Sequence, residues 1–143
     1  MKPRVMLVGP RLSGKATIAT YLEQSEVPLR KVDNIVYRKE TVTVPDNYLE
    51  CPWMYNHIIA LQQTAKCGLF IQPMKAHKDT YPPNFAKVFR IPIFGIITYH
   101  DSYTDDEYSY TERQLMDTGI KKIDAIINLD KPEELSRLDQ LLN

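Results

Sequence analysis

The apolar run Val5-Met6-Leu7-Val8 leads directly into Gly9-Pro10-Arg11-Leu12-Ser13-Gly14-Lys15-Ala16-Thr17. Nothing else in the chain narrows the choice of fold as much. A buried strand feeding a Gly-bounded loop and then a helix is the context of the phosphate-binding pattern G-x-x-x-x-G-K-[ST]. Gly9, Gly14 and Lys15 match it, and Ala16 stands where the hydroxyl residue belongs. In such a loop consecutive N–H groups form an anion-binding concavity, and the following helix presents its positive end to the phosphates. Lys15 reaches the β- and γ-phosphates as a point charge. Arg11, Ser13, Ala16 and Thr17 complete the nucleotide-contacting set. Ala16 has no hydroxyl with which to hold Mg²⁺, and Thr17 lies one residue late unless the helix start is shifted. The alternative is a Gly-rich turn that binds nothing. Such a turn accounts for the glycines but not for Lys15.

Strand and helix signals alternate along the rest of the chain. Residues 4–8 read as a buried strand and 15–24 as a helix with Ile18, Ala19, Tyr21 and Leu22 at helical spacing. β-Branched and aromatic residues mark strands at 34–38 and 41–44, joined as a hairpin over Lys39-Glu40. Pro45-Asp46-Asn47 breaks the chain, and the spacing of Tyr55, Ile58, Ile59 and Leu61 predicts a helix over 54–64. A buried strand at 68–71 leads into a long loop, 72–90, stiffened by Pro82-Pro83. Residues 91–99 contain a third apolar run, 93–97. Thr104 with Glu107 three positions on predicts a helix start, and the helix runs toward Thr118 with Gly119 placed to stop it. A strand at 123–129 and a final helix carrying Leu135, Leu138, Leu141 and Leu142 follow.

This order predicts an α/β fold, one domain over residues 1–143, with a mostly parallel central sheet and helices on both faces. Ligands of such sheets bind beyond the carboxyl ends of the strands. Residues 9–17, 44–48 and 98–103 are therefore expected to converge.

Charge narrows the partners. Eighteen basic residues balance eighteen acidic ones, which argues against nucleic acid or an anionic membrane, both of which need a net basic surface. Arg30-Lys31 and Lys121-Lys122 are isolated, solvated pairs. No stretch has the length of a membrane span, and the apolar run behind Lys2 and Arg4 is too short for a signal peptide. The expectation is an intracellular, cytoplasmic protein with Cys51 and Cys67 as reduced thiols, one or both buried. His57, His77 and His100 have no metal-ligand spacing, and no His or acid lies near Ser13 or Thr17 in a way that suggests a triad. Asp101, Asp105, Asp106 and Glu107 form an acidic run that offsets a helix dipole. The interleaved Tyr99, Tyr103, Tyr108 and Tyr110 are of a type favoured at partner surfaces.

Several ordered segments resemble a known family. Pro45-Asp46-Asn47-Tyr48-Leu49-Glu50, shortly before Tyr55, is similar to the D-T-P-G-E-Y-L-E-N segment of the EutP/PduV proteins. Met6 to Pro10 resembles M-L-x-G-P, Gly95 to Thr98 followed by Asp101 resembles G-I-[IV]-T with its downstream acid, and Pro83-x-Phe85 resembles P-G-F. Proteins of this family are small Ras-like P-loop proteins encoded with the ethanolamine- and propanediol-utilisation machinery of bacterial microcompartments. The resemblance implies a Ras-like P-loop fold, a nucleotide of the ATP or GTP class, and shell or enzyme proteins of the microcompartment as partners.

Departures from the family pattern fall on Mg²⁺ and γ-phosphate handling. The P-loop hydroxyl is Ala16, and the switch threonine after Lys31 aligns with Val32. The aspartate opening D-T-P-G aligns with Thr43, and its glycine aligns with Asp46, which sets a carboxylate against the γ-phosphate. In the base-reading segment Thr98-Tyr99-His100-Asp101, Asp101 is retained as an acceptor for a guanine, or is a loop carboxylate at the approach to a helix. Tyr99 replaces the family lysine with a ring able to stack on a base. The implied protein is a nucleotide binder with weak or absent hydrolysis and doubtful use of Mg²⁺. An active acetate-kinase-type phosphotransferase and a structural adaptor without nucleotide are the alternatives.

Overall fold

The structure is a computed structural model that describes residues 4–25, 34–74 and 81–142. Among these residues six strands form one sheet in the order β2-β3-β1-β4-β5-β6. They are β1 (Arg4–Val8), β2 (Val36–Tyr37), β3 (Thr41–Thr43), β4 (Ala65–Pro73), β5 (Ile93–Tyr99) and β6 (Ile123–Asn128). Only β2 runs antiparallel to its neighbour, as the hairpin reading requires. The other pairs are parallel, with Leu7 beside Thr43 and Val8 beside Phe70. The α/β arrangement expected from the sequence, a mostly parallel sheet with helices on both faces, is the one observed.

Side chains alternate across a strand, so β1 feeds two apolar layers. Val5 and Leu7 meet Leu69, Ile71, Ile96 and Ile127 under α1 (Lys15–Leu22) and α4 (Arg137–Leu142), which contribute Ile18, Ala19 and Leu138. Met6 and Val8 meet Phe70 and Ile97 on the other face. There α2 (Tyr55–Ala60) supplies Ile58, α3 (Asp105–Met116) supplies Leu115, and Tyr81, Phe85 and Phe89 fill the remainder.

Most boundaries move, for identifiable reasons. β4 outruns the expected 68–71 because Ala65 and Cys67 pair with β1, while Gln72 and Pro73 pair with β5. Gln72 is buried, and its amide donates to Gln114 at 3.1 Å. The helix expected over 54–64 shortens to α2 between two 3-10 turns, Pro52–Met54 and Leu61–Gln63. The second tightens the exit into β4, with Thr64 N–H donating to Leu61 at 3.0 Å. β2 keeps two residues at the sheet edge. The segment expected as a plain loop over 72–90 contributes three aromatic rings to the core and a 3-10 turn, Phe85–Val88. α3 opens as expected: the Thr104 hydroxyl accepts from Glu107 N–H at 3.1 Å, and Glu107 accepts from Thr104 N–H at 2.9 Å.

Cys51 is half-buried and Cys67 buried, both as free thiols, and burial pushes the Cys67 thiol up. Among the described residues no helix is long and apolar enough to cross a membrane.

Candidate functional site

The carboxyl ends of β1, β3, β4, β5 and β6 share one edge of the sheet, because those strands are mutually parallel. Three of the segments leaving that edge are the ones expected to meet there, and hydrogen bonds join them. Between β1 and α1 the loop rises to an exposed tip at Arg11 and Leu12, the latter at φ 64. It closes with Ser13 N–H donating to Pro10 at 3.2 Å. Gly9 has no room for a side chain: a Cβ there would lie 2.6 Å from Ser13 Oγ and 2.9 Å from Ile71 O. Gly14 caps α1 at φ 92, directly against Leu129, in a conformation that glycine adopts without strain. Ala16 and Thr17 follow on the exposed first turn of α1.

Lys15 does not extend into solvent. Its side chain is buried, and Nζ donates to Gly9 O at 2.7 Å, to Val44 O at 2.8 Å, and to the Asp46 carboxylate. Among the described residues these three oxygens accept from the ammonium. The two carbonyls are fixed by the backbone, since Val44 N–H donates to Leu7 O at 3.0 Å and carries β3 one step further along β1. Asp46 opens the 3-10 turn Asp46–Leu49 behind Pro45 and remains partly exposed. The sequence predicts Lys15 on phosphate and Asp46 against the γ-phosphate; in the structure the two residues hold each other.

Thr98, from the end of β5, donates its hydroxyl proton to Ser13 O at 2.7 Å and so fixes the loop from the far side. Two more hydroxyls here, Ser13 Oγ and Thr43 Oγ1, are buried without a hydrogen-bond partner among the described residues. Leaving a buried polar group unmatched costs about 1–3 kcal/mol.

Asp101 is exposed at φ 56. Its N–H donates to Asp130 Oδ2 at 2.8 Å, while Asp130 Oδ1 lies 2.8 Å from His100 Nδ1. His100, and after it the Asp101 N–H, hold the Asp130 carboxyl below its ordinary range. Leu129 N–H donates to Tyr99 O at 2.8 Å, so residues 128–130 join this end of the site. Tyr99 packs edge-on against Tyr103, with ring centroids 4.7 Å apart. Lys31 and Val32, aligned with the family's switch pair, lie outside the described residues, as does His77.

Two participants were invisible in the sequence. Tyr81 reaches under the loop, its hydroxyl 2.9 Å from Val8 O and 2.8 Å from Ile71 O, with one proton to share between them. Asp130 lies in the turn that follows β6. Neither has a local pattern that announces it.

The family model for PduV-EutP, described as ethanolamine utilisation - propanediol utilisation, matches residues 1–143. The propanediol utilization protein PduV of Citrobacter freundii is 25% identical over 120 residues, 84% of this chain and 80% of that one. Among solved structures, the small COPII coat GTPase SAR1 of Encephalitozoon cuniculi, an ADP ribosylation factor-like GTP binding protein in complex with GDP, superposes with a TM-score of 0.48. It is 14% identical, and the superposition covers 94% of this chain and 72% of that one.

Proposed function

Since this chain belongs to the PduV-EutP family of ethanolamine and propanediol utilisation, we propose that it is a nucleotide-binding P-loop protein of bacterial microcompartment systems with weak or no hydrolysis. One domain over residues 1–143 carries the site. The phosphates lie on the loop 9–17, and Thr98 and Asp101 bound the end that faces the base of ATP or GTP. Working beside the cytoplasmic shell or its enzymes suits the family's context.

One observation carries the reading: the Lys15 ammonium is drawn into the mouth of the loop and already holds an anion there, the Asp46 carboxylate. A phosphate presented to the loop would meet the same ammonium and the positive end of α1. The hydroxyls of Ser13 and Thr43, without a partner among the described residues, support the presence of a further polar partner at this edge.

Weak hydrolysis follows from the oxygens available. Mg²⁺ requires oxygen ligands in a near-ideal octahedron. Position 16 supplies none, and at the end of β3 only the Thr43 hydroxyl stands in for a carboxylate. These residues do not fit a Mg²⁺ site, and without the metal phosphoryl transfer loses its main electrostatic stabilisation.

The test is a thermal-shift and calorimetric titration with GDP, GTP, ADP and ATP, each with and without Mg²⁺. A ligand at a hundred times its Kd stabilises by about 2.7 kcal/mol, and this shift should vanish in Lys15→Ala. Mg²⁺-dependent release of phosphate that disappears in Lys15→Ala would overturn the claim of weak hydrolysis. A second reading, an adaptor that binds shell or enzyme proteins without nucleotide, is favoured by the protein oxygens that already hold the Lys15 ammonium. Absence of any shift with all four nucleotides would select it.

A further inference from the structure

Among the described residues, Gly9 O, Val44 O and the Asp46 carboxylate accept from the Lys15 ammonium, and these acceptors are not equivalent. Gly9 O and Val44 O are backbone atoms, one inside the loop and the other held by the parallel pairing of β3 with β1. Asp46 is the only one on a side chain, partly exposed, at the first residue of a short 3-10 turn. It is also the only one with a full negative charge. A P-loop lysine spans the β- and γ-phosphates, so an internal carboxylate on that ammonium competes with the terminal phosphate.

We infer that Asp46 is a specificity-determining residue of this site. Its carboxylate holds one side of the Lys15 ammonium, and the loop accepts nucleoside diphosphates in preference to triphosphates. The inference rests on nucleotide binding at this loop. With a diphosphate bound, the ammonium lies between two anions, the β-phosphate and Asp46. A triphosphate brings a third phosphate against the carboxylate, and the two anions then compete for the Lys15 ammonium. Like charges brought together at a partly buried site repel more strongly than in water, and such juxtaposition is a strong source of discrimination. The alternative for a triphosphate is to expel Asp46 from Lys15, which gives up a charge-assisted hydrogen bond.

The experiment is calorimetric titration of the full chain in EDTA, comparing wild type with Asp46→Asn and Asp46→Ala. The ligands are the pairs GDP and GTP, ADP and ATP, and, to separate the phosphate end from the base, pyrophosphate and tripolyphosphate. Wild type should bind the shorter member of at least one nucleotide pair, and pyrophosphate, about tenfold or more tightly. Asp46→Asn, which keeps the shape and removes the charge, should bring each ratio near one, mainly by tightening the longer ligand. Equal affinities in wild type, or an unchanged ratio in Asp46→Asn, would overturn the role of Asp46 and leave nucleotide binding standing. Failure of every ligand to bind wild type and both variants would overturn the two together. Circular dichroism checks that the variants fold. Should neither fold, the wild-type preference for pyrophosphate over tripolyphosphate decides alone.

Discussion

The Thr98 hydroxyl donates to the Ser13 carbonyl at 2.7 Å, across 85 residues of sequence, and both residues are buried. A strand in the second half of the sheet thus sets the height of a loop that leaves the first strand. The phosphate loop depends on the far strand as well as on its own glycines.

Replacing Thr98 with Val should lower stability by about 1–3 kcal/mol, because the Ser13 carbonyl is left buried without its donor. Thr98→Ser restores the donor and should recover most of that loss. Urea denaturation of the three proteins measures the difference, and a Val variant as stable as wild type would show that the contact contributes nothing.

Lys15 and Asp46 should be energetically coupled. Residues sharing one ion pair depart from additivity by about 0.5–3 kcal/mol. Lys15→Met also deprives the carbonyls of Gly9 and Val44 of their donor, so it should destabilise more than Asp46→Asn. A double-mutant cycle on unfolding free energy checks both statements, and strictly additive losses would contradict them.

Gly14→Ala combines a positive φ with a close neighbour, since the new Cβ would lie 2.9 Å from a Leu129 methyl. A left-handed conformation costs an L-residue about 1–2 kcal/mol, and Leu129 must also move. A drop of about 1–3 kcal/mol in unfolding free energy is expected. Because Leu129 leads into Asp130, altered amide chemical shifts at 99–101 should accompany it.

Burial pushes the Tyr81 phenol well above its ordinary range. The folded chain therefore keeps this proton at a pH where the unfolded chain has released it, and stability falls as pH rises. The contribution is complete below the unfolded value, about pH 10, and is lost as pH climbs from there toward the folded value. Tyr81→Phe should be less stable at neutral pH by about 1–3 kcal/mol, since the hydroxyl is its only loss, yet show a shallower decline above pH 10. Unfolding free energies measured across that range test the slope, and parallel curves would reject the assignment.

What could be read from the chain was what lies close together along it. Gly9, Gly14 and Lys15 sit within one strand-loop-helix unit, so their spacing alone pointed to the loop. The Thr104 and Glu107 start of α3 was equally local. The contact between Lys15 and Asp46 spans 31 residues and exists because β3 pairs with β1 in one register, which no local pattern encodes. Tyr81 was hidden for another reason: its segment has no periodicity, and its place is set by the gap it fills beside Phe70, with ring centroids 4.8 Å apart. The ends of β4 were missed because strand pairing, rather than the apolar run 68–71, decides where that strand begins and stops.

The alternation of β1 has a further consequence for insertions and deletions. Gaining or losing one residue between Arg4 and Gly9 would swap Val5 and Leu7 with Met6 and Val8 between two filled interiors. Gaining or losing two would restore the faces but displace the loop by about 6–7 Å, too far for Thr98 or Val44 to follow. Length variation in this protein is therefore excluded from its first strand, whatever its other segments tolerate.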